Sequence, residues 1–238
     1  MQRIRMFTIA VFSCVTVGAA LAQDADLLQQ ALSTRPDPST PVGENFEVPL
    51  GWNVRLDKPD ESVHVGSDKE DDIYFVSMTP GWHVTTRPRA IFYHPASTAE
   101  GSYRARAAIY LFPPGERNEG FGLFVGGQDL EGDDQKYLYF LLRRSGEFLI
   151  KTRAGDETSV VHPWTASDAI IPYTDTTEGT VHNVLEIRST TDRLTFMVNS
   201  TEVASVPRAD LPADGIVGLR VNHGLNLHID DFSVEDLD

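Results

Sequence analysis

Gly215-Ile216-Val217-Gly218-Leu219-Arg220-Val221-Asn222-His223-Gly224-Leu225-Asn226-Leu227-His228-Ile229-Asp230-Asp231-Phe232-Ser233-Val234 is the stretch on which the fold reading turns. Val217, Leu219 and Val221 alternate with Gly218, Arg220 and Asn222, and Leu225, Leu227 and Ile229 alternate with Asn226, His228 and Asp230. Period-two alternation marks strands with one face in a core. His223-Gly224 between the two runs reads as a tight hairpin turn, since glycine accepts positive φ. A hairpin here would close a sheet begun by the N-terminal strand. Phe232 and Val234 break the parity of Leu225, Leu227 and Ile229, which predicts a bulge near Asp230-Asp231.

Upstream, strand signals recur at short spacing. They fall at 46–56, 73–78, 83–86, 90–94, 102–112, 120–126, 137–144, 147–152, 183–189, 194–199 and 201–206. Clusters such as Thr79-Pro80-Gly81, Pro113-Pro114-Gly115 and Ser145-Gly146 punctuate them. Many short strands with glycine and proline turns and little helical periodicity mean an all-β, two-sheet antiparallel sandwich. Tyr137 to Leu142 is apolar on both faces, so that strand belongs in the middle of a sheet. Residues 58–72 read as a solvated connection, and 158–179 as a surface excursion.

The ends of the chain read differently. Residues 1–22 have the three parts of a secretory signal: Arg3 and Arg5, the apolar run from Met6 to Val17, and Ala20-Leu21-Ala22 before Gln23. Cleavage is expected after Ala22, with the protein exported to a periplasmic or extracellular space. The only cysteine, Cys14, would leave with the leader. Residues 23–45 contain Arg35-Pro36-Asp37-Pro38-Ser39-Thr40-Pro41, which neither a helix nor an inner strand accepts, and are read as a flexible tether with room for a short helix at 26–32. A single sandwich domain is expected over 46–238. No second long apolar run offers a membrane span. The formal net charge of −15 repels nucleic acid, which is excluded as a partner.

The closing residues 214–224 and 229–234 resemble the last strands of concanavalin A-like jelly rolls. More narrowly, they are similar to the 3-keto-disaccharide hydrolase domain family. Asn183-Val184-Leu185-Glu186-Ile187-Arg188 and Phe196-Met197-Val198-Asn199 resemble the preceding strand pair of laminin G-like domains. Arg220 stands where that family often has glutamine, and Ser200 where it often has glycine. The resemblance implies a jelly roll of about twelve to fourteen strands and, for the hydrolase family, cleavage of glycosidic bonds.

The residues themselves offer no catalytic set. Retaining glycosidases of this fold carry two carboxylates on one strand face, and cleavage needs both. The nearest string, Glu131-Gly132-Asp133-Asp134-Gln135, has glutamine where the acid belongs. Asp129, Glu131, Asp133 and Asp134 form an acidic loop that could hold Ca2+, but their order is not that of an EF-hand, and a solvated turn is the preferred reading. The seven histidines show no zinc spacing. Gly120 to Gly126 is glycine-rich without a following helix, so it is a strand that something approaches closely rather than a phosphate loop.

What remains is a polar face. Parity places Arg104, Arg106 and Tyr110 on one side of their strand, Glu186 on the polar side of another, Arg220 with Asn222 on a third, and Tyr139 with Arg143 on a fourth. If these strands share a sheet, the eight side chains form one ligand-binding surface, with Glu186 as an internal partner of the arginines and Arg220 as a surface group. Forked donors and rings suit hydroxyl and carboxylate groups. The sequence therefore favours a non-catalytic module binding a glycan or small polar ligand. A glycoside hydrolase and a structural envelope domain without small ligand stand as alternatives.

Overall fold

The structure, a computed structural model, describes residues 16–39 and 48–237. The expected leader residues 1–15, with Cys14, and Phe46 at the start of the expected first strand lie outside the described residues. One helix, α1 (Thr16–Ser33), precedes fourteen strands. They are β1 (Asn53–Leu56), β2 (Ile73–Ser77), β3 (Trp82–Thr86), β4 (Ala90–Ala99), β5 (Tyr103–Leu111), β6 (Gly120–Gln128), β7 (Lys136–Arg143) and β8 (Glu147–Ala154), followed by β9 (Glu157–Ala166), β10 (Val181–Ser189), β11 (Arg193–Val198), β12 (Thr201–Pro207), β13 (Gly215–Val221) and β14 (Leu225–Asp236).

Two seven-stranded antiparallel sheets face each other. Sheet A runs β1-β4-β13-β6-β7-β8-β9 and sheet B runs β12-β11-β10-β5-β14-β3-β2. Alternation decides which side chains go between them. Tyr103, Ala105, Ala107, Ile109 and Leu111 of β5 point inward, as do Leu185 and Ile187 of β10 and Leu194, Phe196 and Val198 of β11. At one end Trp52 packs against Phe75, Trp82 and Phe232. In the centre Phe140 of β7 meets Phe196 of β11 at 5.2 Å between ring centroids. The two antiparallel sheets read from the alternation, and the jelly roll that the resemblance implied, are the fold observed.

The closing stretch departs from its reading. β13 and β14 do not pair; β13 lies between β4 and β6 in sheet A, and β14 between β5 and β3 in sheet B. Asn222-His223-Gly224 is thus a crossing between sheets rather than a hairpin turn. Three extended residues span about 10 Å, which is also about the distance between packed sheets, so so short a link serves either purpose. Gly224 has φ +61 and its N–H donates to the Arg87 carbonyl, which anchors the corner. The predicted bulge is present: the β14–β5 register shifts between Asp230 and Ser233, and Asp231 has φ 49.

The stretch read as a surface excursion at 158–179 contains β9, the edge strand of sheet A. Its register to β8 shifts twice, and most of its side chains are exposed, so alternation was absent from the sequence. The region of the expected tether carries the C-terminal part of α1. His94 of β4 accepts a hydrogen bond from the Ala96 N–H at Nδ1, and its ring lies against the Ala31 carbonyl at the end of the helix. Arg35 then donates to the Val234 carbonyl of sheet B (2.6 Å) and the Thr98 carbonyl of sheet A (2.5 Å). None of the described helices is long and apolar enough to cross a membrane.

Candidate functional site on the outer face of sheet A

The eight candidate residues divide between two surfaces. Arg104, Arg106, Tyr110 and Glu186 stand on the outer face of sheet B, and Tyr139, Arg143, Arg220 and Asn222 on the outer face of sheet A. They cannot form one site, because the core lies between them. Parity orders faces within a strand but carries no information on which sheet a strand joins.

On sheet B the arginines are already neutralised. Arg104 pairs with Glu235 at 2.5 Å and Arg106 with Asp231. Glu186 forms the expected ion pair with an arginine, but its partner is Arg188 of its own strand, not an arginine of β5. The rest of this face is a row of rings set by cross-strand register: His83, His228, Tyr110 and His182. Tyr110 stacks on His182 at 4.3 Å and lies 5.8 Å from His228. Burial, and for His83 the neighbouring charge of His228, push the pKa of both His83 and His228 below the ordinary 6.5. Only Asp230 and the Pro80 carbonyl favour the charged form of His228. The native state therefore prefers neutral rings. Their contribution is complete above the unfolded value of 6.5 and is lost as pH falls through the lower folded values. The melting temperature should drop between about pH 7 and about pH 5, and His83→Gln and His228→Gln should each flatten that slope. Parallel curves for wild type and both variants would refute this origin.

On sheet A the other four come together. In register, Arg143 stands opposite Gly120 and Glu147, Arg220 opposite Ile91 and Gly122, and Tyr139 opposite Phe124 and Lys151. The Asn222 N–H donates to the Gly120 carbonyl. Gly120 and Gly122 keep β6 low between these rows. A Cβ on Gly120 would lie 2.9 Å from Leu141 Cδ1, and one on Gly122 would overlap the Phe140 carbonyl oxygen. This is the close approach that the glycine-rich strand implied.

Arg220 is not the surface group expected. It is 4 % exposed, and its guanidinium donates to both Asp57 oxygens (2.8 and 2.6 Å) and to the Tyr137 hydroxyl (2.8 Å). Its planar group also lies 4.8 Å from the centre of the Tyr139 ring. Burial opposes its charge, but the Asp57 hydrogen bonds together with the electrostatic attraction of Tyr137, Asp57 and Tyr139 outweigh that and hold it protonated. Burial likewise opposes ionisation of Asp57, yet the bond to Arg220 and the charges of Arg220, Arg153 and Arg89 keep its carboxyl below the ordinary range. Tyr137 and Tyr139 are pushed up by burial and remain neutral donors. These aromatics belong to a second apolar layer outside sheet A, with Ile91, Tyr93, Phe124, Leu141 and Leu149.

Above this layer is a pocket of 220 Å³. It is lined by Tyr139, Arg143, Arg220 and Asn222, and by Arg89, Glu119, Lys151 and Trp164, which the sequence reading missed. Trp164 stands on β9, where no strand was expected, and carries the Arg143 guanidinium 4.4 Å from its ring centre. Lys151 shares the parity of Leu149, so its face could have been read from β8. Two polar atoms on the pocket's lining residues are buried without a hydrogen-bond partner: Arg220 Nε, a donor, and Asn222 Oδ1, an acceptor.

The acidic loop lies beside β1. Arg55 Nη1 donates to the carbonyls of Leu130 and Gly132, both at 2.7 Å, and the Asp129 carboxylate accepts the Asp134 N–H. A guanidinium thus engages two oxygens that a calcium ion would seek. Among the described residues no group of three or more His, Cys, Asp or Glu is arranged to hold a metal ion.

The fold is that of lectin-like jelly rolls. Similar solved structures include carbohydrate-binding module CBM66 from Bacillus subtilis, with TM-score 0.55, 10% identity, and coverage of 78% of this chain and 96% of that one. The VIP36 exoplasmic/lumenal domain in its Ca2+/Man2-bound form gives TM-score 0.52, 11% identity and coverage of 87% and 88%. The Emp47p carbohydrate recognition domain gives 0.50, 9%, 87% and 96%. No family model and no curated protein matches the chain, so the narrower resemblance to 3-keto-disaccharide hydrolases finds no support there.

Proposed function

We propose that this protein is an exported module that binds a carbohydrate in the sheet A pocket and does not cleave it. The observation that carries this reading is that two residues lining the pocket, Arg220 and Asn222, hold a buried donor and a buried acceptor without partners. A hydroxyl group accepts from Arg220 Nε and donates to Asn222 Oδ1 at once, and a sugar presents hydroxyls at close spacing. Leaving such groups unpaired is costly, so a ligand that satisfies them gains affinity. The volume is below the roughly 300–1,000 Å³ of drug-sized pockets, which suits one sugar ring of a longer glycan. The lining is mainly polar, with Trp164 of β9 as the partly exposed ring beside it, which suits a hydroxyl-rich ligand. The names of CBM66 and of the Emp47p domain record carbohydrate binding or recognition for those proteins, which supports the same reading here. Glu119 is the one carboxylate lining the pocket, whereas glycosidic cleavage uses a pair.

The test is a glycan array followed by titration calorimetry on the purified protein, wild type and Asn222→Leu. The variant should bind about tenfold or more weakly with its melting temperature nearly unchanged, the loss expected for one hydrogen-bond partner. Calcium and chelator should give the same affinity, because Arg55 engages the carbonyls of the acidic loop. Binding that survives Asn222→Leu but fails in Tyr110→Ala would move the site to sheet B. Release of new reducing ends would make the protein an enzyme. Export is checked by intact mass: the secreted protein should begin at Gln23, and a retained Met1 would refute cleavage.

A further inference from the structure

The sheet A pocket runs against the charge of the molecule. The chain carries a formal −15, yet the pocket is lined by four cations and one carboxylate. Two of the cations are matched: Arg220 by Asp57 and Arg143 by Glu147, at 2.6 Å each. The other two are not. Among the described residues neither Arg89 nor Lys151 has a carboxylate within ion-pair distance. Arg89 spends its Nε on His223 Nδ1 (3.0 Å), which leaves the two terminal nitrogens of its fork without a carboxylate. His223 in turn lies 3.6 Å from Glu119, so the single carboxylate of the pocket faces the imidazole.

Lys151 is half-buried beside Tyr139. Burial first, then the charges of Arg220 and Arg89, disfavour its ammonium form. An arrangement that strains a lysine in this way is relieved by an anion, and a ligand can supply one. Cations in a partly dry cleft attract such a group strongly and lose that attraction as salt rises.

Resting on the carbohydrate reading above, we propose that the ligand is an acidic glycan whose anionic group sits between Arg89 and Lys151 while a ring hydroxyl bridges Arg220 and Asn222. Carboxylate and sulfate satisfy the same two cations, so the shared chemistry is a sugar-borne oxyanion. Titrations would use three oligosaccharides of equal length: trigalacturonate, a sulfated galactan trimer and neutral galactotriose. One or both acidic probes should bind about tenfold or more tightly than the neutral one, and the preference should shrink in high salt. Which acidic probe binds assigns carboxylate or sulfate. Arg89→Gln with Lys151→Met should abolish the preference with an unchanged melting temperature, whereas Lys151→Arg should keep it. Equal binding of all three probes, or a preference that persists in the double variant, overturns the acidic assignment while leaving the carbohydrate reading standing. If no glycan binds, on the array or here, both fall together.

Discussion

Replacing Arg220 by alanine is expected to cost about 3–5 kcal/mol of folding stability, the range for removing one partner of a buried ion pair. Asp57 would keep the more distant Arg153, at 3.4 Å, and the charge of Arg89, and the Tyr137 hydroxyl would lose the charged donor it accepts from. The loss should be visible as a shift of the urea midpoint with unchanged slope. It should also shrink in acid. The folded-state pKa of Asp57 lies below its ordinary 3.8, so the stability it contributes is present at neutral pH and disappears as pH falls through the folded value. The double replacement Arg220→Met with Asp57→Leu should recover much of the loss, since an apolar pair of similar volume often matches a buried salt bridge. An Arg220→Ala protein as stable as wild type would mean that the guanidinium is solvated and that the pocket wall is not built as described.

Phe196→Ala should be as damaging for a different reason. The ring is fully buried and spans the gap between the sheets to reach Phe140, which in turn meets Phe148 at 6.1 Å. Phenylalanine truncations in cores cost about 3–5 kcal/mol, part of it the cavity that neighbours fail to fill. Phe196→Leu should lose much less. A denaturation curve for Phe196→Ala that overlays wild type would show that the two sheets collapse into the space, and that the core is less rigid than its packing implies.

The sandwich was legible because each inner strand buries one face, and burial writes itself into the chain with period two. The centre of sheet A was legible from Tyr137 to Leu142 for the same reason, its outer face being covered by the second apolar layer. β9 was hidden because an edge strand needs no inward face: Thr158, Ser159, Val160 and Pro163 are all exposed. The site was half legible. Tyr139, Arg143, Arg220 and Asn222 do meet, yet the same parity argument swept in Arg104, Arg106, Tyr110 and Glu186 from the other sheet. Register and sheet membership come from long-range pairing, which no local pattern encodes. The burial of Arg220 depends on Asp57, far away in sequence between the expected first strand and the solvated connection.

The crossing at Asn222-His223-Gly224 also governs when the protein can fold. β13 and β14 are interior strands, one in each sheet. Without β13, sheet A falls into β1-β4 and β6-β7-β8-β9; without β14, sheet B falls into β12-β11-β10-β5 and β3-β2. A growing chain thus emerges from the ribosome with neither sheet able to close until residues 215–236 arrive, and such non-local pairing is slow in any case. Nascent chains halted before Gly215 should be cut by protease throughout, and those carried past Asp236 should resist.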